Sequence, residues 1–508
     1  MGHDEMSRPL AEARDYERRM ESFVGEGERL CFHLTPRVGW MNDPNGFMFY
    51  QGMYHLFYQY NPYDTKWDTM HWGHAVSRDL LSWDYQPAAL APDQHYDDKG
   101  GCFSGSAAEL PDGRQLLMYT GVGAGERKPD GTLADRQVQC LALGDGRDYV
   151  KYEGNPVIDA SSLPEGCSSE HFRDPKLWQA ADGSWRMVAA SMDAQGLGQV
   201  VLYRSDDALS WEFVSVLAHN DGRFGRMWEC PDLFALDGYD VLLLSPQDML
   251  PEGHRFYSGN GTLCLMGHVD ERGVLAEESA RVIDHGMDFY ATQTTLAPDG
   301  RRVMVAWMQN WDCTTGVDPD HYAFGAMTVP RELSVRDGRL CQWPVRELDA
   351  WRRNPVRCEG VLLDGEPTAL PGVSGRVVDL LVHVRPQDAE RPYEEVIIWF
   401  AQNERFHCSL RYRPHHGTLK ISRDHAGTRR AFVHQRKCDV QDATPELDLR
   451  IVLDKYSAEV FVNGGQQALT MIIPTDLTAD GITFFARGGA VVDVEKYDLA
   501  EPTPGGAC

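Results

Sequence analysis

Trp-Met-Asn-Asp-Pro-Asn-Gly, residues 40–46, places one acid between an asparagine and a proline. Proline fixes its own φ and disfavours helical geometry in the residue before it, so Asp43 is expected at the start of an extended strand. Taken alone, this mixture of Asn, Asp, Pro and Gly favours an ordinary turn. The sequence around the segment favours a strand instead, because the pattern repeats.

Five apolar, strand-like runs each follow a glycine turn, and the turn glycines are Gly52, Gly113, Gly183, Gly238 and Gly300. The positions nine residues before these glycines are, in order, Asp43, Ser104, Asp174, Glu229 and Ala291. The intervals between these positions are 61, 70, 55 and 62 residues. Each unit is long enough for about four short strands, the size of one propeller blade. We therefore predict a five-bladed β-propeller over residues 31–345.

Three of the five positions that share this phase are acids. Equivalent positions of a propeller converge on its axis, so Asp43, Asp174 and Glu229, from blades 1, 3 and 4, are expected to line one funnel. Like charges that share a cavity cost stability and cluster at functional sites. The alternative is a repeat that favours acids at solvent-facing turns, but it does not explain the Asp-Pro and Glu-Cys-Pro-Asp settings of these acids.

The rest of the chain divides by composition. Residues 1–30 have a mixed-charge helical pattern and are predicted to form a short helical extension on the main body. Residues 346–365 are predicted to be a linker, and residues 366–500, with alternating strand patterns, a β-sandwich. Residues 501–508 are a Pro/Gly-rich tail. The predicted fold is therefore all-β, a propeller followed by a sandwich.

The net charge of −27 excludes several classes of partner. An acidic surface repels phosphate backbones and anionic lipid, so we expect neither nucleic acid nor a membrane as a partner. The 12 cysteines lack metal-type spacing, and no metal site is predicted. The N-terminal sequence is charged and has no signal-peptide core, which predicts a cytoplasmic location.

Paired carboxylates in a pocket with aromatic residues and amides are the arrangement that cleaves glycosidic bonds. Glu229 fits the proton donor, since neighbouring negative charge and partial burial raise a carboxyl pKa. Asp43, beside the amide of Asn42, fits the ionised partner. Asp174, beside Arg173, fits a group that binds sugar hydroxyls. Of the aromatic candidates Trp67, Phe103 and Trp72, only Trp67 lies in a polar loop that leaves it free to face the pocket.

These motifs resemble the signature blocks of glycoside hydrolase family 32, the invertase and β-fructofuranosidase family. The three acid blocks are WMNDPNG at 40–46, FRDPK at 172–176 and WECPD at 228–232. Supporting blocks include YHLFYQYNP at 54–62 and DKYSAEVFVNGG at 454–465. The resemblance extends from about residue 31 over nearly the whole chain.

The resemblance implies a retaining, double-displacement hydrolysis of β-D-fructofuranosides such as sucrose and short fructo-oligosaccharides, with sucrose 6-phosphate as a further candidate. Asp43 would be the nucleophile, Glu229 the general acid/base and Asp174 the acid that stabilises the transition state. No cofactor or metal is needed for this chemistry, and the partner is a small-molecule sugar. By the same resemblance, the fructose subsite would be lined by Asn42, Gln59, Trp67, Phe103, Ser104, Arg173, Tyr290 and Trp307.

Two alternatives stay open at this point. One is a fructosyltransferase that uses the same acids to make fructo-oligosaccharides, and the other is a non-catalytic propeller that binds fructosides. The sequence does not choose among sucrose, sucrose 6-phosphate, inulin-type and levan-type substrates, nor does it name the residues on the leaving-group side. If the protein forms an oligomer, we expect the contact through an uncovered edge of the sandwich.

Overall fold

The computed structural model of the protein describes residues 6–313, 321–427 and 433–501. Within these residues the regular secondary structure is mostly β-strand, arranged in seven sheets, with a short helix near the N-terminal end. The predicted all-β fold with a short N-terminal helix is confirmed. The predicted tail lies outside the described residues beyond Glu501, as do residues 1–5 of the predicted helical extension.

Five of the sheets each contain four antiparallel strands and form the blades of the propeller. A fifth strand in blade 1, Ala323–Phe324, pairs in parallel with Gly39 and Trp40 and joins the end of the ring to its start. The four strands are, in blade 1, Gly39–Tyr50, Met53–Asn61, His71–Ser77 and Trp83–Leu90, and in blade 2, Gly101–Glu109, Gln115–Arg127, Leu133–Gly144 and Tyr149–Lys151. They are, in blade 3, Phe172–Gln179, Trp185–Met192, Gly198–Ser205 and Glu212–His219, and in blade 4, Trp228–Leu236, Tyr239–Pro246, Leu263–Val269 and Leu275–Val282. In blade 5 they are Tyr290–Leu296, Arg302–Trp307, Arg331–Arg336 and Arg339–Pro344.

The first strand of each blade is the innermost, because it contacts the first strands of the neighbouring blades around the axis. Every one of these inner strands carries a β-bulge near its start, where the ladder with the second strand shifts register. A bulge bends the strand and re-aims its side chains. The predicted nine-residue phase falls within one residue of the bulge in each blade. The last paired residues before the shifts are Met41, Phe103, Arg173, Glu229 and Tyr290.

The helix Arg8–Met20 packs on Trp83–Leu90, the outer strand of blade 1. The side chain of Ser7 accepts a hydrogen bond from Leu10 N and caps the N-terminal end of the helix. Arg14 Nε donates to Ala88 O at 2.9 Å, and Ala88 N donates to Glu17 Oε2 at 3.1 Å. Burial raises the pKa of Glu17 to about 7. Within the described residues, no helix has the length and apolar character needed to cross a membrane.

The remaining two sheets have six strands each and form the sandwich. Residues 352–363, inside the predicted linker, form an edge strand that pairs with Ala490–Leu499. The side chains of this edge strand are largely polar and exposed, which explains why the segment has a linker-like sequence. In spatial order, the first sheet contains Arg352–Leu363, Ala490–Leu499, Val378–Pro386, Leu447–Asp454, Ser457–Val462 and Gln467–Ile472. The second sheet contains Thr368–Ser374, Gly481–Arg487, Glu395–Gln402, His407–Arg413, Thr418–His425 and Gln435–Asp439. The 3₁₀ turns are Glu21–Phe23, Glu26–Glu28, Ala160–Ser162, Arg346–Trp351 and Pro414–His416.

A buried ionic network joins the propeller to the sandwich. The ring of His33, which precedes blade 1, lies between Asp454 and Glu459 of the sandwich, with Nδ1 2.8 Å from Asp454 Oδ2 and Nε2 2.9 Å from Glu459 Oε1. Arg331 of blade 5 also pairs with Glu459 and with Asp284, and all these side chains are fully buried. Although burial lowers the pKa of His33, its hydrogen bonds to the two carboxylates raise that pKa to about 9.

We predict that His33→Ala lowers the free energy of unfolding by about 3 kcal/mol, because it leaves two buried carboxylates short of a partner. The folded-state pKa lies above the ordinary value of about 6.5, so the ionic contribution is fully present below about pH 6.5 and is lost as the pH rises through about 9. Thermal and urea unfolding at about pH 6 and about pH 9.5 would measure the difference. His254→Ala is the control, since His254 pairs with Asp439 at a partly exposed site. If His33→Ala lowered the free energy of unfolding equally at both pH values, His33 would not contribute through its charge, and the prediction would be contradicted.

Candidate active site

The three predicted acids project into the same cavity from the bulges of three inner strands. Asp174 is the first bulged residue of blade 3, with a left-handed backbone at φ 63°. Asp43 is the second of two unpaired residues in blade 1, and Glu229 is the last paired residue before the bulge of blade 4. The acids therefore reach the cavity from three slightly different positions of the same repeated bulge.

The cavity has a volume of about 460 Å³ and opens to solvent. Besides the three acids, six of the eight predicted sugar-binding residues line it. Trp67 stands at its rim with 45% of its surface exposed and meets the ring of Phe103 edge-on, with centroids 6.1 Å apart. The six residues are Asn42, Gln59, Trp67, Phe103, Ser104 and Arg173.

The carboxylate of Asp43 has a donor at each oxygen. Ser104 Oγ donates to Oδ2 at 2.8 Å, and Asn42 Nδ2 donates to Oδ1 at 3.0 Å. The Cys230 thiol lies 3.5 Å from Oδ2. Burial and the charge of Glu229 raise the pKa of Asp43, and these three donors oppose the rise. The donors thus hold a buried carboxylate in a fixed orientation and favour its ionised form.

Glu229 is held by a cation on one oxygen and a phenol on the other. Arg173 donates to Oε1 from Nη2 at 3.0 Å and from Nε at 3.3 Å. The hydroxyl of Tyr290 donates to Oε2 at 2.6 Å, and its oxygen lies 3.0 Å from the carbonyl oxygen of Ser245. This carboxyl is therefore oriented by groups from blades 3 and 5.

Asp174 is the most buried of the three acids, with 7% of its surface exposed. Its Oδ2 accepts a hydrogen bond from Cys230 N at 2.9 Å and lies 3.9 Å from Arg173 Nε. Burial raises the pKa of Asp174 to about 7; the charge of Arg173 opposes this rise, and the charges of Glu229 and Asp43 add to it. Among the described residues that line the cavity, the acids thus carry more negative charge than the one arginine, Arg173, neutralises.

The two other predicted residues do not reach the cavity wall. Tyr290 is buried and acts on the site only through its hydroxyl on Glu229. Trp307 is fully buried behind the wall, where its ring packs against Trp40 at 5.8 Å and Trp311 at 4.9 Å between centroids. Trp72 is also core, as the sequence indicated, since it is fully buried and donates its indole N–H to the carbonyl of Phe103.

Four residues of the cavity wall, Gln247, Asp248, Asn260 and Trp311, were not predicted from the sequence. All four lie on the loops that follow the second strands of blades 4 and 5. In an antiparallel blade the end of the second strand lies beside the start of the first, where the acids are. Trp67 was predicted from the corresponding loop of blade 1, and applying the same reasoning to blades 4 and 5 would have indicated these loops as part of the wall.

Two family models match this chain over most of its length. The Glycosyl hydrolases family 32 N-terminal domain matches residues 33–344, and the Glycosyl hydrolases family 32 C terminal matches residues 347–501. The match to the N-terminal domain includes all three acids.

Individual proteins that are similar to this chain support the same family assignment. The raffinose invertase of Escherichia coli is 38% identical over 473 residues, which cover 91% of this chain and 92% of the relative. A sucrose-6-phosphate hydrolase of Escherichia coli is 35% identical over 505 residues, with 94% and 95% coverage. The solved β-fructofuranosidase of Bombyx mori is 31% identical, with a TM-score of 0.81 and 97% and 99% coverage.

We predict that Asp174→Asn raises the melting temperature by about 1–3 °C near pH 8 and has little effect near pH 4. The folded carboxyl keeps its proton up to about pH 7, whereas the unfolded one loses it near 3.8, so the folded state becomes less stable as the pH rises through this window. Asparagine removes that penalty. Scanning calorimetry of wild type, Asp174→Asn and the exposed-site control Asp337→Asn at both pH values would test this. A lower melting temperature at pH 8 for Asp174→Asn would contradict it.

Proposed function

The chain belongs to glycoside hydrolase family 32, and we propose that it is a retaining β-fructofuranosidase. Its substrates would be terminal non-reducing β-D-fructofuranosides such as sucrose and short fructo-oligosaccharides, with sucrose 6-phosphate as a further substrate. The single observation that carries this proposal is the convergence of Asp43, Asp174 and Glu229 in one open cavity with amide, aromatic and guanidinium groups around them. The named relatives, an invertase and a sucrose-6-phosphate hydrolase, support it.

The first step would form a covalent fructosyl-enzyme. Asp43 Oδ attacks the anomeric carbon of fructose, and the bond from that carbon to the leaving oxygen breaks. Glu229 gives its proton to that oxygen, so the leaving sugar departs as a neutral alcohol. Ser104 and Asn42, which donate to Asp43, fix the direction of the attack.

The second step would release fructose. Glu229, now ionised, takes a proton from a water molecule whose oxygen attacks the anomeric carbon, and the ester bond to Asp43 breaks. Two displacements at one carbon retain its configuration. Arg173 would stabilise Glu229 in its ionised stage, since the two side chains form an ion pair at 3.0 Å.

Asp174 would hold the fructose ring through two of its hydroxyls. Hydrogen bonds from sugar hydroxyls to a carboxylate become stronger as positive charge develops on the sugar. They therefore stabilise the transition state more than the ground state. The Phe103 ring would supply an apolar wall. The cytoplasmic location and any subunit contact through the sandwich stay predictions from the sequence.

We predict that Asp43→Asn abolishes turnover of sucrose and that Glu229→Gln lowers kcat by about 10²–10⁴-fold, since the first removes the nucleophile and the second the proton donor. Glu229→Ala should recover part of its activity on p-nitrophenyl β-D-fructofuranoside, whose leaving group needs no proton. Released fructose, quantified by chromatography, is the measurement, and a single cooperative melting transition in each variant would show that it folds.

Asp337→Asn, an exposed carboxylate on the outer hairpin of blade 5, is the matched control and should keep wild-type activity. Wild-type activity in Asp43→Asn would contradict the proposed function. The same assay at high sucrose separates hydrolysis from transfer, because a fructosyltransferase would accumulate kestose in place of free fructose.

A further inference from the structure

Five of the described residues that line the cavity lie outside the strands, and we call this part of the cavity wall the loop wall. They lie on the loops between the second and third strands of blades 1, 4 and 5. The acids and their donors lie deeper, on the inner strands, so the leaving sugar would face the loop wall once fructose occupies the bottom of the cavity. The loop wall consists of Trp67, Gln247, Asp248, Asn260 and Trp311.

The loop wall is held in place by specific contacts. Asn260 donates to Asp312 from its backbone N at 2.8 Å and from Nδ2 at 3.0 Å, and its carbonyl accepts a bond from Asn310 Nδ2 at 3.0 Å. Asp248 has a left-handed backbone with φ 58° and an exposed side chain.

The chemistry of the loop wall suits an uncharged sugar. Two indoles offer flat apolar faces, and two amides and one carboxylate offer hydrogen bonds to hydroxyls. A phosphate group on the leaving sugar would instead approach the carboxylate of Asp248, and the three acids deeper in the cavity would add to the repulsion. Among the described residues that line the cavity, Arg173 is the single cation, and Glu229 already occupies it at 3.0 Å.

We propose that the leaving-group half of the site is selective for a neutral sugar, and that Asp248 is the residue that disfavours a phosphate on the 6-hydroxyl of the leaving glucose. This inference rests on the proposed function and ranks its substrates. Like charges a few ångströms apart near a protein surface repel strongly enough to change a rate by about tenfold or more. Sucrose is therefore the preferred substrate over sucrose 6-phosphate.

The first test compares kcat/KM of the wild-type protein for sucrose, sucrose 6-phosphate and raffinose. Raffinose carries a neutral galactosyl group on the same oxygen that carries the phosphate, so it separates charge from bulk. We expect sucrose 6-phosphate to be slower than sucrose by about tenfold or more, and raffinose to be faster than sucrose 6-phosphate. Equal or faster hydrolysis of sucrose 6-phosphate would overturn the inference and leave the proposed function intact. Failure to hydrolyse sucrose at all would overturn both.

The second test changes the charge at Asp248. Asp248→Lys should raise the ratio of kcat/KM for sucrose 6-phosphate over sucrose by about tenfold or more, chiefly through KM, and Asp248→Asn should move it in the same direction by a smaller factor. Asp337→Lys is the matched control, because Asp337 is also exposed and left-handed, with φ 51°, but lies on the outer hairpin of blade 5. An unchanged ratio in both Asp248 variants, or an equal shift in the control, would overturn the role of Asp248.

Discussion

The ion pair between Arg173 and Glu229 is the interaction that allows three carboxylates to share one cavity. Arg173 lies 3.0 Å from Glu229 and 3.9 Å from Asp174, and its guanidinium is almost fully buried. One positive charge does not balance three negative ones; burial, and after it the charges of the neighbouring acids, raise the pKa of both Asp43 and Asp174. The site is thus held together against its own repulsion by the surrounding fold, as is typical of sites built for proton transfer.

The repeated bulge explains how five similar strands build one asymmetric site. Blades 1, 3 and 4 each contribute an acid, and the two other blades contribute donors to those acids. Ser104 of blade 2 donates to Asp43, and Tyr290 of blade 5 donates to Glu229. Each inner strand therefore has a part in the site, and Cys230 joins two of the acids through its backbone N–H to Asp174 and its thiol to Asp43.

Much of this could be predicted from the sequence because the repeat has a fixed distance between glycine turn and bulge. That distance placed Asp43, Asp174 and Glu229 at the axis, although unequal turns and a second bulge in blade 1 shift the acids by a residue relative to one another. Trp307 could not be placed in this way, since local sequence does not distinguish a wall residue from one packed behind it. The residues of the loop wall were missed because loops carry no repeat phase. The strand at 352–363 was missed because an edge strand lacks the apolar alternation that identifies a half-buried one.

The central claim, double displacement through Asp43, is tested most directly by the configuration of a trapped product. With sucrose as donor and methanol as a competing acceptor, proton NMR would identify the methyl fructofuranoside formed early in the reaction. The account predicts the β-anomer, because two displacements at the anomeric carbon retain its configuration. The α-anomer would contradict it, since that product requires a single direct displacement in which Asp43 forms no covalent bond.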